Sequence, residues 1–129
     1  MRLYLPLNFQ RLTAKDGVTD EDLKTAIHKA EKGLVDADLG GHLIKQRISR
    51  SGQGAARGFR AVFLYKRGEV AVGVHIFPKN SKGNLSRGEM DAYLKLARSL
   101  DALTDEQLAK LSAERRWKVL NLYDRAEAL

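Results

Sequence analysis

The chain has 129 residues, with 23 Lys and Arg against 16 Asp and Glu, for a formal charge of +7; this is the size of one domain (1–129) with a core of its own. A composition 43% hydrophobic and 30% charged is globular rather than disordered, and the lack of Cys excludes disulfides, thiolate zinc sites and cysteine nucleophiles. No apolar run approaches the ~18–20 residues of a membrane span and the apolar start Met1–Leu7 is too short for a signal peptide, so a cytoplasmic protein without membrane partners is expected.

Arg2–Leu5 reads as a short strand ended by Pro6. Asn8–Lys15 reads as a short helix closed by Gly17. Thr19 is an N-cap, and Asp20, Glu21 and Asp22 suit the positive end of the helix dipole. Leu23, Ile27, Ala30 and Leu34 then follow helical spacing, with Gly33 as a stop. Gly40-Gly41 signals a turn, and the middle of the chain reads as β.

His42–Ser49 alternates, with Ile44 and Ile48 on one side and Lys45 and Arg47 on the other. Residues 51–58 read as a flexible connection. Phe59–Lys66 is a second strand, with Phe59, Ala61, Phe63 and Tyr65 on one face. Val70–Phe77 is a third, with Val70, Val72, Val74 and Ile76 against Ala71, Gly73, His75 and Phe77. Short connections between them predict an antiparallel meander of three to four strands. Two capping boxes follow, Ser86 with Glu89 and Thr104 with Gln107. Met90, Tyr93, Leu94, Ala97 and Leu100 form an apolar stripe. The expectation is an α+β fold, its antiparallel sheet flanked by helices and its C-terminus helical.

The charge is concentrated. No Asp or Glu lies between Asp38 and Glu69, and that gap holds Lys45, Arg47, Arg50, Arg57, Arg60, Lys66 and Arg67. The rest of the chain carries 16 charges of each sign, so these residues account for the whole excess. Such a block suits a polyanion, with guanidinium forks for phosphate oxygens. A solvated strand face with cations guarding its edge is the plainer alternative. Gly52-Gln53-Gly54 is not a P-loop, because it lacks the Gly-Lys-Ser/Thr ending and opens a strand.

Of the three histidines, His28 lies on the polar side of its helix and His42 opens a strand. His75 lies mid-strand on the face of Ala71, Gly73 and Phe77, where small neighbours leave room for a ligand. None of the three has metal-ligand spacing, and no metal or cofactor is expected. Tyr4, Phe59, Tyr65 and Phe77 neighbour the cations; core packing accounts for most of them, while Tyr65 and Phe77 are candidates to stack on RNA bases. With few carboxylates in this set, two-metal hydrolysis lacks ligands. RNA cleavage by its own 2′-OH needs only proton transfer and charge stabilisation, which Lys, Arg, Tyr or His supply.

At these residues the sequence resembles the RelE/ParE toxin superfamily, and within it the HigB-like RelE branch. The match begins near Phe9, Leu12, Ala14 and Gly17, and continues through residues 33–41 and 45–50, then Gly52-Gln53-Gly54 and Gly58-Phe59-Arg60. It ends with residues 77–80, Asn84-Leu85-Ser86 and the helix after Glu89, so that order and spacing agree over about 9–111. Residues 54–58 stand where the family commonly has Gly-Lys-Ser-Gly-Gly, and Pro78 where Ala is usual. The stretch after about Ala113 departs from the pattern.

The resemblance implies an endoribonuclease that cuts mRNA on the ribosome and inhibits translation. It also implies contact with ribosomal RNA and a cognate antitoxin, typically a helix-turn-helix DNA-binding protein. The family's basic positions fall on Lys45, Arg47, Arg50, Arg60 and Lys79. Lys45, Arg47, Arg60, Lys79 and His75 are the candidate catalytic set; Arg50, Arg57, Lys66, Arg67, Tyr65 and Phe77 are candidates for RNA binding. The alternatives are a ParE-like inhibitor of DNA gyrase with no nuclease site, or a degenerate orphan toxin.

Overall fold

The computed structural model describes the backbone of residues 1–50, 54–78 and 85–122, and the side chains of 1–48, 58–77 and 85–122. Its elements run β1 (Arg2–Leu5), α1 (Leu7–Asp16), α2 (Asp20–Glu31), β2 (Ala37–Gly40), β3 (Leu43–Arg50), β4 (Gly54–Lys66), β5 (Val70–Pro78), α3 (Arg87–Asp101), α4 (Asp105–Glu114) and β6 (Lys118–Asn121). None of these helices is long and apolar enough to cross a membrane.

The helix boundaries follow local chemistry. Thr19, Ser86 and Thr104 each accept a hydrogen bond from the N3 backbone N–H, and the side chains of Asp22, Glu89 and Gln107 each accept one from the cap's backbone N–H. Gly17 closes α1 in the left-handed conformation, at φ 71°.

The strands form one mixed six-stranded sheet in the order β2-β3-β4-β5-β1-β6. β2 through β5 are the expected antiparallel meander, with four strands. The sheet is larger than expected because β1 adds parallel to β5 and β6 adds antiparallel to β1. The described C-terminal part therefore ends not on a helix but on strand β6 and a turn. β4 starts at Gly54, so residues 54–58 belong to a strand and not to the connection.

Helices cover both faces. One face packs Ile44, Ile48, Phe59, Ala61 and Phe63 with Phe9 of α1 and Leu23, Ala26 and Ile27 of α2. The other packs Leu43, Val62, Leu64 and Val72 with Ala97 and Leu100 of α3 and Leu108 of α4. A Cβ on Gly73 would lie 2.6 Å from the Phe9 ring, so glycine there lets α1 seat directly on the sheet.

The β4–β5 ladder contains an irregularity that matters for the site. Val62 pairs His75 and Phe63 pairs Gly73, leaving Val74 as an extra residue. This is a β-bulge, and it changes which face the following residues point to. Ala71 and Ile76 join the first core, while Val72 and Phe77 join the second. The uninterrupted alternation expected from Val70 to Phe77 is therefore broken at Val74. His75 shares a face with Phe77 but not with Ala71 and Gly73.

Candidate functional site

β3 and β4 set the cations by strand alternation. Arg47 lies directly across from Arg60, and Arg60 directly across from Phe77. One step along the strands, Lys45 faces Val62 and Val62 faces His75. Directly opposed residues point to the same face of a sheet, so Lys45, Arg47, Arg60, His75 and Phe77 form two adjacent rows on the α3 face. Arg47 is exposed, Lys45 and Arg60 are half-buried and Phe77 is buried.

Like charges directly opposed across a ladder destabilise it. Among the described residues, neither the Arg47 nor the Arg60 guanidinium has an acidic partner. Two forks on neighbouring strands can grip several oxygens of one phosphate. The Arg47 backbone is anchored separately: its N–H donates to the Asp36 carboxylate.

His75 sits half-buried at the edge of this group. Its ring meets Phe77 edge-on, with centroids 4.6 Å apart. Its Nδ1 is hydrogen-bonded to the Tyr93 hydroxyl at 2.9 Å. Burial pushes the imidazole below its ordinary value, against a smaller upward pull from Glu89. Burial pushes the Tyr93 phenol up, and Glu89 adds to this. α3 thus brings an acidic residue, Glu89, near His75.

Three of the expected RNA contacts lie apart from this group. Tyr65 is buried on the opposite face, and its hydroxyl donates to Glu31 of α2. Lys66 lies six residues along β4 from Arg60, about 20 Å at strand rise, and pairs with Asp101 at 2.7 Å. Arg67 donates to the Glu31 carbonyl at 3.2 Å. The seven-cation block is therefore divided by the length of a strand. Arg50 and Arg57 lie in strands but their side chains are outside the described residues, as is Lys79 altogether.

Tyr93 and Glu89 are the neighbours of His75 that were not read as site residues. In the sequence Tyr93 fits an apolar stripe and Glu89 a capping box. Both readings hold locally, and only the docking of α3 on the sheet shows the further contact.

These features define a class: a small α+β protein whose helix-flanked sheet carries an arginine couple without an acidic partner among the described residues, beside a half-buried histidine–tyrosine pair. The family model described as the RelE toxin of the RelE/RelB toxin–antitoxin system matches residues 1–119, and the chain belongs to that toxin family, which implies an antitoxin partner. None of the curated proteins matches it.

Proposed function

We propose that this toxin is a ribosome-dependent endoribonuclease of the HigB-like branch, acting in the cytoplasm on mRNA and neutralised by a helix-turn-helix antitoxin. The observation that carries the reading is Arg47 opposed to Arg60 without an acidic partner among the described residues. A fold pays this electrostatic cost where an anion relieves it.

The reaction follows from RNA itself. The ribose 2′-oxygen attacks the adjacent phosphorus, forming the O2′–P bond while the P–O5′ bond breaks. The products are a 2′,3′-cyclic phosphate and a 5′-hydroxyl. Arg47 and Arg60 hold the non-bridging oxygens and stabilise the charge that builds on them. Lys45, Arg50 and Arg57 extend the phosphate contacts, and His75 or Lys79 moves the proton. Ribosomal RNA around the decoding site is a second partner for these cations.

The test is primer extension on a translated message. Wild-type protein should give new 5′ ends only with ribosomes, on 5′-hydroxyl fragments. Removing a charge-stabilising donor costs about 10²–10³ in rate, so Arg47→Gln with Arg60→Gln should cut at least ~100-fold more slowly and relieve growth arrest. Undiminished cutting in the double variant would overturn the site. Inhibited DNA supercoiling with no RNA cuts would overturn the activity in favour of a gyrase inhibitor.

A further inference from the structure

The bulge at Val74 turns His75 toward α3 and away from Phe9. There the ring is held on two sides, by Phe77 edge-on and by the Tyr93 hydroxyl on Nδ1. Nδ1 and Nε2 lie on opposite sides of an imidazole. With Nδ1 engaged, Nε2 is the nitrogen left without a partner among the described residues. Arg60 is the diagonal neighbour of His75 across β4–β5, and diagonal residues lie roughly 7–8 Å apart. Diagonal neighbours at that backbone separation are within reach of long side chains, so the Arg60 guanidinium and the His75 imidazole can address the same phosphodiester.

Among the described residues, the titratable and charged groups around His75 are Glu89 and Tyr93 from α3, Arg60 from β4 and Lys45 from β3. Burial keeps both imidazole and phenol uncharged at neutral pH. A neutral imidazole has one donor and one acceptor nitrogen, and the partner on one nitrogen decides the role of the other.

We propose that Tyr93 is a positioning residue: its phenolic oxygen accepts the Nδ1–H of His75, fixing the ring so that Nε2 presents its lone pair to the 2′-OH of RNA held by Arg60 and Arg47. This rests on the endoribonuclease reading. Nε2 takes the 2′-OH proton as the O2′–P bond forms. The P–O5′ bond breaks, and the leaving O5′ takes a proton from water. The imidazolium so formed keeps Tyr93 on Nδ1 and has Glu89 nearby, and it returns its proton to solvent after product leaves.

Two measurements decide it. The first needs no variant: 15N shifts of the His75 ring in the wild-type protein should show the proton on Nδ1, and Tyr93→Phe should move it to Nε2. The second is kinetic. Tyr93→Phe should slow cutting about 10–100-fold, the scale of losing a group that orients a reactive imidazole. RNA affinity should stay unchanged and the acidic limb of the pH–rate profile should move. In a His75→Asn background, Tyr93→Phe should have no further effect. A wild-type ring protonated on Nε2 would overturn the proposal, as would unchanged turnover and pH profile in Tyr93→Phe. If the wild type cuts no RNA at all, the activity reading fails by itself, while the tautomer still answers for Tyr93.

Discussion

At neutral pH the His75 imidazole is uncharged in the fold, because burial removes the water that would stabilise imidazolium and Glu89 offsets this only in part. The unfolded chain takes up a proton near the ordinary value of 6.5, the folded chain only at lower pH. Stability linked to His75 is therefore complete above pH about 6.5 and is lost as pH falls through the lower, folded value. His75→Asn should flatten the decline of the urea midpoint over that window; a decline parallel to the wild type would show that His75 does not contribute to it. The sequence singled out His75 and placed Phe77 on its face. It could not place that face against the rest of β5, because Val70, Val72, Val74 and Ile76 alternate without a break in the text of the chain. The extra residue at Val74 shows only in the pairing with β4.

Elements meet at Gln46, a polar residue on the core face of β3 that is 1% exposed. Its amide donates to the carbonyls of Ala26 at 3.0 Å and Leu34 at 3.1 Å, and its oxygen accepts the Asp36 N–H at 2.8 Å. One side chain thus ties α2, the turn after it and the approach to β2 onto the sheet. Gln46→Leu keeps the volume but strands three backbone groups, at about 1–3 kcal/mol for each that stays dry. Lower urea stability and faster hydrogen exchange near Asp36 are expected; wild-type exchange there would refute this role. Capping boxes and helix ends were legible because they involve residues three apart. β2 and β6 were not, since each has four residues and forms by pairing with a strand that the local pattern does not reveal.

Across the whole molecule the excess charge is divided between two ends of the sheet. Near α3's C-terminal end, Lys66 is held above its ordinary value by its hydrogen bond to Asp101, and Asp101 below its own by the same bond. Arg67 braces α2 through the Glu31 carbonyl. At the other end Arg47 and Arg60 face each other. Lys66→Gln with Arg67→Gln removes the same charge as the Arg47/Arg60 double substitution, yet it should leave RNA cutting within about twofold, since exposed pairs contribute little energy, and affect only the docking of the helices. Equal loss of cutting in both pairs would mean that net charge governs activity. The sequence showed the asymmetry in full. It could not show the division, because linear order hides the length of a strand.

Strand β1 lies between β5 and β6, joined to residues 68 and 119 positions away in the chain (Arg2 to Val70 and to Asn121). Closing such long loops costs more entropy than closing a hairpin. The β3–β4 and β4–β5 ladders, which carry Arg47, Arg60 and His75, are made from neighbouring segments. The half of the sheet that holds the arginine couple and His75 is thus local in contact order, and the half that completes the core is the part whose assembly spans almost the whole chain.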